Sequence, residues 1–212
     1  MSAYYQVSEH AFESEYLSEL QGQILASRYF AVNNLNRDFV GTKGFSVVFR
    51  RSSIGEVERR FPCFKPYLSV ALQTTCNAFY LNPLLLHTGS RVDPHIDRSL
   101  RSYCKTIEPP DVVSVLYIQV PFALKGGELV LRSHKRQVGC IRPEFNTLLH
   151  FQGNLTHSVK EVISPGTRLS LVCEQYSLLD AELQQIPEFT VESRALKSEG
   201  LGVRKLKESG VR

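Results

Sequence analysis

The chain contains no tryptophan, a single methionine and no long apolar run. A helix that crosses a bilayer needs about 20 consecutive apolar residues, so a membrane-spanning segment is not expected and no membrane partner is predicted. The first ten residues have neither a basic start nor a hydrophobic stretch, which predicts no secretory signal and a cytoplasmic location. Hydrophobic residues make up 42% of the 212 positions, which is typical of a globular chain.

Cysteine is sparse, and no two cysteines form a CxxC pair. The five are Cys63, Cys76, Cys104, Cys140 and Cys173. An odd number at wide spacing argues against a disulfide framework and against a zinc knuckle. We therefore expect reduced thiols in the core.

Excess charge of one sign is confined to the end of the chain. The formal net charge is +4, and residues 194–212 alone carry six basic and two acidic side chains. The rest of the chain is close to neutral, so the composition does not favour a nucleic-acid partner.

The periodicity predicts a helical layer followed by a β-rich core. Apolar residues at three- and four-residue steps predict a helix over residues 8–31, with Ser8 as its N-cap, and a second helix near 66–75. A short strand is expected at Phe45–Phe49. Alternating runs separated by turn residues then predict eight strands, near 78–87, 91–96, 112–119, 127–132, 136–142, 146–151, 156–162 and 167–175.

This order of elements predicts a mainly β fold, a double-stranded β-helix (a cupin-like jelly roll) flanked by N-terminal α-helices. We expect one domain over residues 1–188, with the helical layer at about 8–76 and the jelly-roll core at about 77–176. Residues 189–212 lose periodicity and are predicted to form a basic, weakly ordered tail. The sequence contains nothing that indicates the oligomeric state.

A metal site is suggested by the run that contains His95 and Asp97. Residues i and i+2 of a strand project to the same face, so this imidazole and this carboxylate can enter one cavity. His157, near the start of a later strand, supplies a third ligand. Two histidines and one carboxylate suit non-haem Fe(II) and leave positions open for other ligands, although zinc accepts the same ligand types.

A cation is predicted inside the same barrel. In the alternating strand that follows Gly166, Arg168 and Ser170 face one way while Leu169 and Leu171 face the other. An arginine that points into a barrel without a partner is energetically costly, so a dicarboxylate ligand is a natural explanation. A rim arginine bonded to Glu174 or Glu161 is the alternative.

Taken in order, these motifs resemble the prolyl-hydroxylase-like Fe(II)/2-oxoglutarate dioxygenases. The matching elements, over roughly residues 78–176, are the His95–Asp97 pair, Tyr117-Ile118-Gln119, Gly126-Gly127-Glu128-Leu129, Leu149-His150-Phe151, the segment from His157 to Val162, and Gly166-Thr167-Arg168-Leu169-Ser170-Leu171. The resemblance implies that His95, Asp97 and His157 bind iron. It also implies that Arg168 and the Tyr117 hydroxyl hold the distal carboxylate of 2-oxoglutarate, with Ser170 as a further co-substrate residue.

The activity that the resemblance implies is hydroxylation of an unactivated C–H bond by O2, with release of succinate and CO2. The expected substrate is a peptide, a protein side chain or an amino-acid-like small molecule. Asp97 favours hydroxylation, because related halogenases replace this carboxylate. Two alternatives stay open, namely a non-catalytic cupin-like sensing domain and a zinc or manganese enzyme on the same barrel.

Two residues and one segment of the predicted core have open roles. His87 occupies a position where the family often has a tyrosine, and it could face the cavity. Gln119 replaces the family's asparagine. The segment from Arg98 to Asp111 is the candidate for a mobile loop that grips the substrate.

Overall fold

The computed structural model of the protein describes residues 4–33 and 38–195. Its helices are α1 (Ser14–Ala26), α2 (Ile54–Arg60), α3 (Lys65–Ala71) and α4 (Asp180–Leu183). Its strands are β1 (Tyr5–Glu9), β2 (Ala31–Asn33), β3 (Phe39–Val40), β4 (Thr42–Gly44), β5 (Ser46–Arg50), β6 (Ala78–His87), β7 (Arg91–His95), β8 (Val112–Gln119), β9 (Leu129–Ser133), β10 (Arg136–Ile141), β11 (Thr147–Gln152), β12 (Thr156–Val159), β13 (Thr167–Tyr176) and β14 (Phe189–Glu192).

The strands form two antiparallel sheets, as the predicted double-stranded β-helix requires. One sheet has nine strands, with the path β1-β11-β8-β13-β6-β4-β2 and with β5 and β14 branching from β6. The other has five strands in the order β10-β9-β12-β7-β3. Apolar side chains from both sheets pack in one cluster, which includes Val115 and Leu149 from the large sheet and Val92 and Leu131 from the small one. The two sheets therefore face each other.

The nine-stranded sheet separates a helical layer from the space between the sheets. Leu17, Leu20 and Ile24 of α1 are buried against the outer face of this sheet. On β13, Leu169 and Leu171 belong to that same outer cluster. Arg168 and Ser170 project to the opposite face, because side chains alternate along a strand. This confirms the predicted alternation and places the arginine between the two sheets.

The N-terminal prediction is wrong in its boundaries. Residues 5–9 are β1, which pairs with β11 in the register Tyr5 to Phe151, so Ser8 lies in a strand and caps no helix. His10 has φ 50°, and the chain turns there before α1 begins at Ser14. The pairing of β1 with a strand distant in sequence overrides the predicted helix at residues 8 and 9, and α1 ends at Ala26, before the predicted end at residue 31.

Further differences lie at the two ends of the predicted core. The helix expected near 66–75 is α3, at Lys65–Ala71, and α2 was not predicted. The tail was expected to begin at residue 189, but Phe189–Glu192 is β14 and pairs with β5. Residues 196–212, which hold most of the basic tail, lie outside the described residues. The division into one domain and a tail stays a prediction.

All five cysteines are free, as predicted. Four are at least partly buried, whereas Cys140 is exposed and is not a core thiol. Within residues 4–33 and 38–195, no helix combines the length and the hydropathy needed to traverse a bilayer.

Candidate metal and co-substrate site

The two predicted histidine ligands lie opposite each other on adjacent strands of the small sheet. β12 pairs with β7 so that His157 is the register partner of His95, and the centroids of the two rings are 4.4 Å apart. Each ring uses Nδ1 for a backbone carbonyl, that of Asp93 at 2.8 Å and that of Leu155 at 3.2 Å. Hydrogen bonds of this kind fix the orientation of a ring and direct Nε2 elsewhere, here toward Asp97.

Asp97 completes the group from just beyond the end of β7. Its carboxylate oxygens lie 3.2 Å from Nε2 of His95 and 3.4 Å from Nε2 of His157. One ligand atom from each of the three residues lies within 4.8 Å of the others, so a single ion can contact all of them. Asp97 Oδ2 is buried and has no hydrogen-bond partner among the described residues, which leaves it free for a cation.

Burial and the contacts among the three groups shift their pKa values in different directions. Burial acts to raise the pKa of Asp97, but His157 and His95 outweigh it and hold that pKa below its usual value. Burial lowers the pKa of His157. Burial would also lower the pKa of His95, but its contact with Asp97 raises it above the usual value. A carboxylate beside two imidazoles is a suitable ligand set for a divalent metal, which binds the imidazoles in their neutral form.

Arg168 is the second unusual feature of the site. It is only 2% exposed, and within the described part of the chain its Nη1 donates a hydrogen bond to the carbonyl oxygen of Gly127 at 3.1 Å. Its Nε has no partner, and no carboxylate among the described residues forms an ion pair with it. Burial lowers the pKa of this guanidinium. A buried cation without an anion is costly, and an anionic ligand would remove that cost.

Tyr117 lies directly beside this arginine. The guanidinium carbon of Arg168 is 4.9 Å from the centroid of the tyrosine ring, which is fully buried. The Tyr117 hydroxyl is another buried group without a hydrogen-bond partner among the described residues. Burial raises the pKa of Tyr117, so the hydroxyl keeps its proton and can donate it to an anion.

One cavity of about 360 Å³ connects the metal group to the arginine. All three candidate metal ligands line it, together with Arg168 and Ser170. Its remaining wall is largely apolar and includes Phe39, Leu84, Val92, Val113, Val115, Leu129, Phe151, Val159 and Val172. The structure therefore brings together the predicted ligands, Arg168 and Ser170 in one cavity, with Tyr117 buried next to Arg168.

Two residues with open roles belong elsewhere. His87 is exposed and its Nδ1 contacts the carbonyl oxygen of Thr88, so it does not enter the cavity. Gln119 accepts a hydrogen bond from Gln21 of α1 and donates one to Thr167, which links the helical layer to the large sheet.

The sequence analysis considered Glu174 only as a possible rim partner of Arg168. It lines the cavity from β13 and is 4% exposed. Burial, with a further contribution from Asp97, raises its pKa to about 8. The alternation that places Arg168 and Ser170 inward also places Val172 and Glu174 inward, so the signal was present in the same strand.

The role of the segment from Arg98 to Asp111 as a mobile loop stays a prediction. Leu100, Cys104 and Ile107 are buried in a cluster with Tyr176 and Ile186, so the segment is packed against the barrel. Only its first part, Arg98, Ser99 and Ser102, lines the cavity.

Comparisons with known proteins agree with this geometry. Residues 79–173 match the family model described as the 2OG-Fe(II) oxygenase superfamily. A search of curated protein sequences finds no significant match.

Solved structures with the same fold include a Pseudomonas putida prolyl-4-hydroxylase, which is 15% identical with a TM-score of 0.54 over 84% of this chain and 95% of that one. A prolyl hydroxylase from Trichoplax adhaerens, solved with a hypoxia inducible factor peptide fragment, is 17% identical with a TM-score of 0.55 over 85% of this chain and 86% of that one. HygX from Streptomyces hygroscopicus, solved with nickel and 2-oxoglutarate, is 12% identical with a TM-score of 0.51 over 80% of this chain and 81% of that one.

At these identities the structural matches show the fold, and the family model carries the assignment. The matched segment runs from β6 to β13 and contains all three candidate metal ligands and Arg168. Residues 79–173, which hold the candidate site, match the 2OG-Fe(II) oxygenase superfamily, and this match supports an iron- and 2-oxoglutarate-dependent oxygenase.

Proposed function

We propose that His95, Asp97 and His157 bind Fe(II), and that Arg168, with Tyr117 and Ser170, holds the distal carboxylate of 2-oxoglutarate. The substrate in this proposal is a peptide, a protein side chain or an amino-acid-like molecule, which is hydroxylated at a C–H bond. When bound, the iron supplies the oxidation of that bond by O2, coupled to the decarboxylation of 2-oxoglutarate to succinate and CO2. The protein binds and orients the reactants and excludes water.

The donor set fits Fe(II). Two imidazole nitrogens and one carboxylate would hold the ion and would leave further positions open for a chelating co-substrate. The backbone carbonyls that hold the Nδ1 atoms of His95 and His157 leave both Nε2 atoms available for the metal. Asp97 contributes the negative charge that favours a divalent cation.

The observation that carries the proposal is the unpaired guanidinium of Arg168 in the same cavity as the metal group. A metal-only enzyme on this barrel would not need a buried cation there. A dicarboxylate that chelates iron at one end presents its second carboxylate to the cavity, where Arg168 and the unpartnered Tyr117 hydroxyl can both donate to it. The two orphaned donors therefore have one common explanation.

A peptide substrate is supported by the apolar wall of the cavity, which suits an aliphatic side chain whose C–H bonds are the target. The Trichoplax adhaerens neighbour was solved with a peptide, which supports the same class. Asp97 favours hydroxylation as the outcome, because its carboxylate occupies the ligand position where a halide would otherwise bind.

The test is turnover with a set of peptides that differ only at a central proline, lysine, asparagine or alanine. The protein is incubated with Fe(II), 2-oxoglutarate and O2, succinate is quantified, and each peptide is examined by mass spectrometry for one added oxygen atom. We expect succinate in every reaction and oxygen added to at least one peptide. Succinate without any oxygenated peptide would contradict the peptide substrate, and the absence of succinate would contradict the proposed function as a whole.

A further inference from the structure

The metal ligands of the proposed centre are not held in the same way. His95 and His157 lie in paired strands, where the ladder between β7 and β12 fixes their backbones. Asp97 lies beyond the end of β7, in a stretch from Ile96 to Arg98 that has no regular secondary structure. Some other contact must fix the chain at Asp97, because a metal ligand that is displaced by about an ångström no longer reaches the ion.

That contact comes from the opposite sheet. Two residues after Asp97, Ser99 donates two hydrogen bonds to the Glu174 carboxylate, from Oγ at 2.5 Å and from the backbone N–H at 3.2 Å. The hydroxyl of Tyr176 donates a third bond to the same carboxylate. Glu174 lies on β13 of the large sheet, so these bonds join the chain beyond Asp97 to the wall that also carries Arg168.

The turn that begins at Ser99 transmits this restraint. A short 3-10 helix spans Ser99–Ser102, and the Ser102 hydroxyl donates to the Ser99 carbonyl oxygen at 2.9 Å. The Arg98 carbonyl oxygen accepts from the backbone N–H of Arg101 at 3.0 Å. Leu100 is fully buried in the same cluster as Tyr176. The chain on the C-terminal side of Asp97 is therefore rigid as long as Ser99 remains attached to Glu174.

We propose that Glu174 is a positioning residue for Asp97. Through Ser99, it fixes the carboxylate ligand of the metal site from the opposite sheet, while the strand ladder fixes the two histidines. The proposal rests on the proposed function only in taking Asp97 as a metal ligand. Glu174 is a buried carboxyl group that accepts three hydrogen bonds, two from Ser99 and one from Tyr176. Burying such a group is too costly to be explained by packing alone.

The test is metal affinity, measured apart from turnover. Metal-free wild-type protein and its variants are titrated anaerobically with Fe(II) and, separately, with Co(II), whose visible bands report the ligand set. Glu174→Ala is expected to weaken binding of both ions by about 10- to 100-fold, the usual range when a group that supports a metal ligand is lost. Glu192→Gln is the matched control, because Glu192 lines the same cavity but bonds to Tyr103 at 2.5 Å. Its affinity should equal that of the wild type.

Ser99→Ala separates positioning from simple loss of the Glu174 side chain, because it removes one hydrogen bond to Glu174 and leaves the carboxyl group in place. We expect weaker metal binding in this variant too, with an altered Co(II) spectrum. The double variant Ser99→Ala/Glu174→Ala should bind no more weakly than Glu174→Ala alone, because both changes remove the same restraint.

The outcomes also separate this proposal from the function it rests on. If wild-type protein binds neither ion, the metal site itself is wrong. If wild type binds and Glu174→Ala binds equally well, with only a lower melting temperature, Glu174 is a structural residue and the inference is overturned. If Glu174→Ala weakens binding but Ser99→Ala does not, the effect comes from the Glu174 side chain itself, and positioning through Ser99 is likewise overturned.

Discussion

At the scale of single residues, the site is defined by polar groups that the protein leaves unsatisfied. Asp97 Oδ2, the Tyr117 hydroxyl and Arg168 Nε are buried atoms without a hydrogen-bond partner among the described residues. Buried polar atoms are normally paired, and each orphan costs about 1–3 kcal/mol. One metal ion and one dicarboxylate would satisfy all three atoms, so the cost is incurred where ligands bind.

Replacement of Arg168 tests this explanation. Arg168→Met removes the guanidinium and keeps an apolar side chain of similar length. The 2-oxoglutarate concentration needed for half-maximal succinate formation should rise by tenfold or more, which corresponds to roughly 1.4–3 kcal/mol for a lost charge-assisted contact. The melting temperature of the ligand-free protein should not fall, because the variant removes an unpaired buried charge.

Arg132→Ala is the control for that experiment, since Arg132 is exposed on β9. It should leave the 2-oxoglutarate requirement unchanged. An unchanged requirement in Arg168→Met would assign co-substrate binding to another part of the cavity.

At the scale of elements, the connection between β8 and β9 supports the arginine. The carbonyl oxygen of Gly127 accepts the hydrogen bond from Arg168. The preceding residue, Gly126, has φ 79° and forms a β-bridge with Val162. A Cβ at Gly126 would lie 1.9 Å from the carbonyl oxygen of Glu161. Neither the conformation nor the space at this position admits a side chain.

Gly126→Ala should therefore disturb both stability and co-substrate binding. We expect the free energy of unfolding, measured by urea denaturation, to fall by about 1–3 kcal/mol and the 2-oxoglutarate requirement to rise, because the Gly127 carbonyl is displaced. Gly22→Ala in α1 is the comparison, since no atom lies within 4 Å of its Cβ position. It should stabilise the protein by about 0.5–1 kcal/mol. Equal stability and an equal 2-oxoglutarate requirement in Gly126→Ala and wild type would remove this connection from the co-substrate site.

The elements also show what sequence reasoning can recover. The eight strands from β6 to β13 follow from alternation and from turn residues, which are local signals, and each was predicted to within a few residues. β1 was not predicted, and its last two residues were placed in a helix, because its partner β11 lies far along the chain and no local pattern reveals such a pairing. His95 and Asp97 were recognisable as a pair two residues apart. Glu174 acts across the barrel on Ser99, a relation that exists only once the two sheets face each other.

At the scale of the whole molecule, the large sheet serves two layers. Its outer face packs on the helices, and its inner face carries Arg168 and Glu174 toward the small sheet, which carries the metal ligands.

The buried acid Glu174 then makes the stability of the metal-free protein depend on pH. Its pKa rises from 4.5 to about 8 on folding, mainly through burial.

The sign of this dependence follows from linkage. Below pH 4.5 Glu174 is protonated in both states, and its contribution is fully favourable to the fold. As the pH rises toward about 8, the unfolded state releases this proton while the folded state retains it, so the free energy of unfolding falls. Urea denaturation of the metal-free protein from pH 5 to pH 8 should show this decline, and Glu174→Gln should reduce its slope. If the free energy of unfolding changes with pH equally in wild type and Glu174→Gln, the raised pKa of Glu174 is contradicted.

The central claim is that one cavity binds Fe(II) through His95, Asp97 and His157 and binds 2-oxoglutarate through Arg168. The most direct measurement is an anaerobic titration of the metal-free protein with Fe(II) and then 2-oxoglutarate, followed through the weak visible charge-transfer band of the chelate. The band should form in wild type and in His87→Ala, whose histidine is exposed, and should be absent in His157→Ala. Iron binding without the band in wild type, or an unchanged band in His157→Ala, would contradict the account.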